Sequence, residues 1–187
     1  ALTGGTNGSA ITGAQYQAAL DAFEAYSFNT LGCLSTDDTI KRLYIAYTKR
    51  MRDEVGVKFQ TVIHNLTNVD YEGVIVIKND VTDAGEAASA AVWWFTGASA
   101  GCLVNRSNTN KTYDGEYTIN TNYKQSELTQ GIKDGYLMFH KVGDKVKILN
   151  DVNSCVSVTT YKNSDFFFSQ IIRVLDQIVT DIAALFI

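Results

Sequence analysis

Proline is absent from all 187 residues, and no internal repeat or low-complexity stretch stands in as a linker. Nothing therefore divides the chain, whose length suits one ordinary domain able to bury most of the surface its unfolded form exposes. Cysteine is scarce: Cys33, Cys102 and Cys155 are an odd number, far apart, with no Cys-x-x-Cys pair. This argues against a disulfide framework or a zinc site and for reduced, buried thiols in a reducing cytoplasm. An excess of positive charge is missing too. A net charge of −4 argues against a dedicated nucleic-acid binder and against attraction to an anionic membrane surface. No apolar run is long enough to insert in a membrane, because Arg173, Asp176 and Asp181 interrupt the last one. Sequons at Asn7, Asn65, Asn105 and Asn110 follow no signal peptide, and a chain rich in Asn, Ser and Thr generates them by chance.

What is present is ordinary globular material, 45% hydrophobic and 19% charged. The chain opens on Ala1-Leu2 and closes on the apolar run Ile182 to Ile187, without a Gly, Asn or basic stop signal. Residues 1–187 are accordingly expected to be a core domain cut from a longer protein.

Thr12, with Gln15 three residues on, has capping-box spacing and predicts a first helix whose apolar stripe is Tyr16, Leu20, Phe23 and Tyr26. A short strand follows from Thr30 to Leu34. Asp37 and Asp38 open a second helix with apolar positions Ile40, Leu43, Tyr44, Tyr47 and Met51, closed by Lys49, Arg50 and Arg52 near Gly56. Lys58 to His64 predicts a strand, and Gly73 to Ile77 another, continuously apolar and so buried on both faces. An Ala-rich helix is expected from about Ala84 to Gly101, with Gly97-x-x-x-Gly101 admitting a second backbone. A short helix over Gln125 to Ile132 and strands Tyr136 to Lys141 and Lys145 to Leu149 around a Val142-Gly143-Asp144 turn come next. A strand over Val156 to Tyr161 precedes a last helix from about Ser164, carrying Ile171, Leu175, Ile178, Ile182 and Leu185. Alternating strands and helices predict a layered α/β/α domain with a mixed, partly parallel central sheet and a β-hairpin near residue 143.

No set of residues assembles into a catalytic, cofactor-binding or metal site. A Ser-His-Asp triad needs three roles met in one place. The two histidines, His64 and His140, sit in strand-like apolar company, and no serine has a nucleophile's setting. The Leu2-Thr3-Gly4-Gly5-Thr6-Asn7-Gly8 stretch lacks a Gly-Lys-Ser/Thr ending and reads as a turn into the first helix. Acid pairs at Asp37/Asp38, Asp53/Glu54 and Asp80/Asp83, like Asp151 and Asn153, have no calcium-loop spacing. They are expected to be caps, solvated loops or, for Asp53 and Glu54, local partners of Arg50 and Arg52. Lys41, Arg42, Lys49, Arg50, Arg52 and Lys58 form one basic segment, expected as a solvated helix face, with a patch for an acidic neighbouring copy as the alternative.

Several short motifs occur in a fixed order: Leu2-Gly8, Arg50-Met51-Arg52-Asp53-Glu54-Val55-Gly56, Asp70-Tyr71-Glu72-Gly73, Thr96 to Gly101, Tyr113-Asp114-Gly115, Leu149 to Ser154 and Ile172-Arg173-Val174-Leu175-Asp176. In this ordered set the chain resembles the central, subtilisin-like α/β domain of contractile phage tail sheath proteins of the prophage and phage-tail-like bacteriocin type. The resemblance implies a structural subunit, not an enzyme, that self-associates into a helical sheath around a tail tube protein, bounded by baseplate and tail terminator proteins. It implies no cofactor, no nucleic acid and no membrane insertion. Such a sheath assembles in the host bacterial cytoplasm, becomes part of the virion tail or released particle, and contracts to drive the tube through a target envelope. Matching positions such as Arg52, Asp53, Gly56, Glu72 and Gly73 then have architectural roles. The rival expectation is an α/β hydrolase or ligand-binding domain with a pocket at the strand ends.

Overall fold

A computed structural model describes residues 11–186 of the chain. The Leu2-Gly8 stretch lies outside them. Four strands form one parallel sheet in the order β1 (Thr30–Gly32), β2 (Gln60–His64), β3 (Val74–Ile77) and β4 (Tyr136–Leu137). Its register pairs Leu31 with Thr61, Val62 with Ile75 and Val76 with Tyr136. Every residue of β2 and β3 is buried, as the unbroken apolar run in β3 predicts. Side chains alternate across the sheet. Ile63, Val74 and Val76 join Leu20, Tyr44 and Phe59 beneath α1 (Gly13–Phe23) and α2 (Asp38–Lys49). Val62, Ile75 and Ile77 join Phe95, Phe139 and Ile148 on the other face, under α3 (Ala91–Ala100). This is the expected α/β/α layering.

Local chemistry sets the ends of these elements. The Thr12 N–H donates to Gln15 Oε1 at 2.8 Å at the start of α1, the capping contact its spacing predicts. Asp37 accepts from the Thr39 N–H at 2.7 Å and caps α2. Beyond Lys49 the helix widens into a π-helical turn, Arg50–Val55, ending at Gly56. Thr48 Oγ1 lies 2.6 Å from Thr61 Oγ1 and donates to the Tyr44 carbonyl at 2.7 Å, a buried polar join between α2 and β2. After α4 (Gln125–Lys133) the chain enters β4, then leaves the parallel sheet at Met138. β5 (Phe139–Val142) and β6 (Lys145–Ile148) form their own antiparallel hairpin around Gly143. Asn79 ties the two ladders together. It is fully buried, accepts from the Phe139 N–H at 2.8 Å, and donates to the carbonyls of Phe139 at 2.9 Å and Asn120 at 2.8 Å.

Three expectations need correction. The Ala-rich helix begins at Ala91, not Ala84. Gly85 takes φ +89°, Val81 donates to the Ala88 carbonyl at 3.0 Å, and Ser89 donates to the Leu34 carbonyl at 2.6 Å, so these groups hold a turn. Among the described residues, nothing lies within 4 Å of a Cβ placed at Gly97, and one placed at Gly101 meets the carbonyl of Gly97 in the same helix. The close approach between sheet and α3 uses Gly32, where a Cβ would lie 2.6 Å from Thr96 Oγ1. Finally, Val156 to Tyr161 forms no strand. Asp70 Oδ1 takes the Val156 and Ser157 N–H groups at 2.8 and 3.1 Å, a side-chain substitute for a strand neighbour.

Candidate assembly surface

The last helix, α5 (Ser169–Leu185), follows a 3₁₀ turn at Ser164–Phe167. Its underside is polar. Arg52 sends Nη1 and Nη2 to the two oxygens of Asp176 at 2.7 and 2.8 Å, and Nη1 also donates to the Phe59 carbonyl at 2.6 Å. Burial opposes the Arg52 cation, and the Asp176 carboxylate outweighs it, holding the guanidinium above its ordinary pKa. One turn earlier, Arg173 Nη2 donates to Asp151 Oδ2 and to the Arg106 carbonyl, both at 2.9 Å. Asp151 also accepts the Asn108 N–H at 2.9 Å, and its backbone carbonyl receives the Ser169 N–H at 3.0 Å. Only Ser169 and Ile172 of this helix are buried.

The opposite side is apolar. Phe168, Ile171, Leu175, Ile178, Ile182 and Leu185 recur at alternating spacings of three and four, the period of a coiled-coil seam. All six are exposed, from 38% at Ile171 and Leu175 to 80% at Leu185, with Val179 and Phe186 beside them. The helix thus turns Arg173 and Asp176 toward the domain, with Ile172 buried, while its apolar stripe faces away and Asp181 stays exposed. A contiguous exposed stripe of this kind marks a contact surface rather than ordinary scatter.

The basic segment is largely used within the chain, which corrects the expectation of a solvated face. Lys41 is buried and pairs with Asp38 at 2.9 Å, Arg52 with Asp176, and Arg50 with Glu24. Lys58 donates to the Arg52 carbonyl, while Arg42 and Lys49 stay exposed, with Lys49 5.1 Å from the centre of the Tyr71 ring. Asp53 is therefore free of Arg50 and Arg52 and accepts from the Tyr71 hydroxyl at 2.8 Å. Asp151 and Asn153 are buried joints, not solvated loop residues. Asn153 accepts the Cys155 N–H and donates to the Phe166 carbonyl, each at 2.8 Å. Their polarity concealed this, because sequence shows an acid but not the Arg173 that neutralises it.

Neither histidine takes a hydrogen bond from a serine among the described residues. His64 Nε2 lies 3.0 Å from Asp80 Oδ1. Burial pushes this imidazole below its ordinary pKa, with Asp80 working the other way. Burial and Lys147 lower His140 as well. Asp83 accepts from the Thr118 N–H and hydroxyl, apart from Asp80, and no acid, His or Cys cluster of metal-binding size occurs among the described residues. A groove of about 560 Å³ runs between residues 66–70 and Gly135-Tyr136. Its polar groups serve the fold: Asp70 holds Val156 and Ser157, and Ser154 Oγ donates to the Tyr71 carbonyl at 2.9 Å. No helix among the described residues is long and apolar enough to cross a membrane.

The profile of the phage tail sheath protein central domain matches residues 9–154. The chain is 33% identical, over 97% of its length, to protein XkdK of the phage-like element PBSX of Bacillus subtilis, and covers 40% of that protein. A crystal structure of the sheath tail protein from Desulfitobacterium hafniense superposes with a TM-score of 0.89 at 36% identity, over 95% of this chain and 44% of that one. The contracted helical sheath of the anti-feeding prophage shares the fold alone, with a TM-score of 0.63 at 10% identity, over 91% of this chain and 50% of that one. The chain spans about two-fifths of the length of the curated relatives it matches.

Proposed function

The chain belongs to the phage tail sheath protein family, and from that premise we propose that it is the core of a contractile tail sheath subunit. The role is structural and not enzymatic. Copies of the longer polypeptide self-associate into a helical sheath around a tail tube protein, between baseplate and tail terminator proteins. Assembly takes place in the bacterial cytoplasm, and the product is a tail particle whose contraction drives the tube through a target envelope. No cofactor takes part.

The observation that carries this reading is the outward apolar stripe of α5, which serves as a contact with a neighbouring copy. Repetition of one head-to-tail contact generates a helix. A single helix face buries a modest area, below about 1,200 Å² in total, so it is weak alone and depends on additional contacts from flanking segments. Weak core-to-core contact also allows nearly rigid domains to change neighbours during contraction.

Negative-stain microscopy and light scattering test the proposal. The 187-residue chain alone should be a monomer or weak oligomer, and the full-length polypeptide should form striated hollow sleeves. A stable helical polymer from the core alone, or a full-length protein that forms no sleeve, would overturn it.

A further inference from the structure

A small cavity of about 70 Å³ lies between β2, α3 and α5. Three polar side chains on its wall have buried atoms that no group among the described residues satisfies: Nε2 and Oε1 of Gln60, Oγ of Ser99, and Nε and Nη1 of Arg173. Gln60 is 2% exposed and Ser99 3%. Arg173 is fixed from its other end, where Nη2 is engaged by Asp151 and Arg106. Buried polar groups are hydrogen-bonded in the great majority of cases, and this cluster concentrates several orphans around one space.

We propose that the cavity is a hydration site, holding a small cluster of ordered water that joins β2, α3 and α5. The volume admits on the order of two molecules at roughly 30 Å³ each. The donor and acceptor pattern selects water over an ion. Arg173, Ser99 and the Gln60 amide present N–H and O–H donors, which an anion would satisfy. Gln60 Oε1 presents an acceptor, which an anion leaves unpaired. Of the other charges on this wall, the Asp176 carboxylate is held by Arg52 and the Lys58 ammonium by the Arg52 carbonyl, so neither stands free to draw an ion in. A cation is opposed by Arg173 itself. Water alone both donates to Oε1 and accepts from the neighbouring N–H groups. The site explains how a glutamine is accommodated at a fully buried strand position, and it stands whether or not the chain builds a sheath.

A crystal structure of the 187-residue chain at a resolution that places solvent, with a parallel crystal soaked in bromide, tests this. The expected result is at least one water hydrogen-bonded to Gln60 Oε1 and to Arg173 or Ser99, with no anomalous bromide peak in the cavity. Water-to-amide cross-relaxation in solution should reach the Gln60 side-chain N–H₂. A bromide peak, a dry cavity, or direct bonds from Gln60 to Ser99 or Arg173 that close the space would each overturn the proposal.

Discussion

Arg52 and Asp176 stand 124 positions apart in sequence and meet in a two-pronged ion pair at 2.7 and 2.8 Å. Arg52 lies in the π-helical turn that follows α2, and Asp176 sits midway along α5, so this pair fixes the last helix to the first half of the domain. Removing one member of a buried pair leaves the other charge uncompensated. Asp176→Ala should therefore destabilise the chain by about 3–5 kcal/mol, measured by urea unfolding. Arg52→Met with Asp176→Leu should recover most of that loss. A double variant as unstable as the sum of the singles would refute the coupling.

Because α5 buries only two residues and rests on polar contacts, its amides should exchange with solvent well before those of β2 and β3. Native-state hydrogen exchange read by mass spectrometry checks this. Equal protection across the three elements would contradict it.

Leu175→Asp and Ile178→Asp lie on the outward stripe and should change the stability of the isolated chain by no more than about 0.5 kcal/mol. In the full-length polypeptide the same changes should suppress sleeve formation. Ile75→Ala, at a fully buried sheet position, should instead cost about 2–5 kcal/mol in both.

The folded-state pKa of His64 lies below its ordinary 6.5, chiefly through burial. The unfolded chain then binds the proton more readily than the native one. Stability from this group is complete above pH 6.5 and declines as pH falls from there through the folded pKa. His64→Asn should flatten the pH dependence of urea midpoints in that window. An unchanged slope would show that His64 does not cause it.

Cys33 and Cys155 are buried, and burial raises both thiols above their ordinary pKa. Cys102 is half-buried at the end of α3, with Arg173 Nη2 3.6 Å from its sulfur. Buried Cys33 and Cys155 fit the expectation of mostly buried thiols, and Cys102 is the exception. Native thiol titration should find one faster group, abolished by Cys102→Ser, and two slow ones.

Where a residue's role depends on near neighbours, the sequence was sufficient. The Thr12–Gln15 cap, the Asp37 cap, the doubly buried run Val74–Ile77 and the Gly143 turn all appear as expected. Roles set by distant partners were not legible. Arg52 looked like a helix-end charge, and Asp151 like a loop acid, because Asp176 and Arg173 come to them only through the fold. The periodicity of α5 announced an apolar stripe but carried no information about which side the domain would occupy. Val156 to Tyr161 has strand-forming residues, yet the Asp70 carboxylate holds the Val156 and Ser157 N–H groups that a neighbouring strand would take.

The Asn79 side chain joins the parallel sheet to the hairpin through both backbone groups of Phe139. Covalently, the two ladders meet at a single residue, Met138. Asn79 adds a second attachment beside it, and Phe139 and Ile148 of the hairpin add a third by packing with Val62, Ile75 and Ile77 of the sheet. With three attachments at one junction, the hairpin is expected to move with β3 as an arm of the sheet and not as a separate flap.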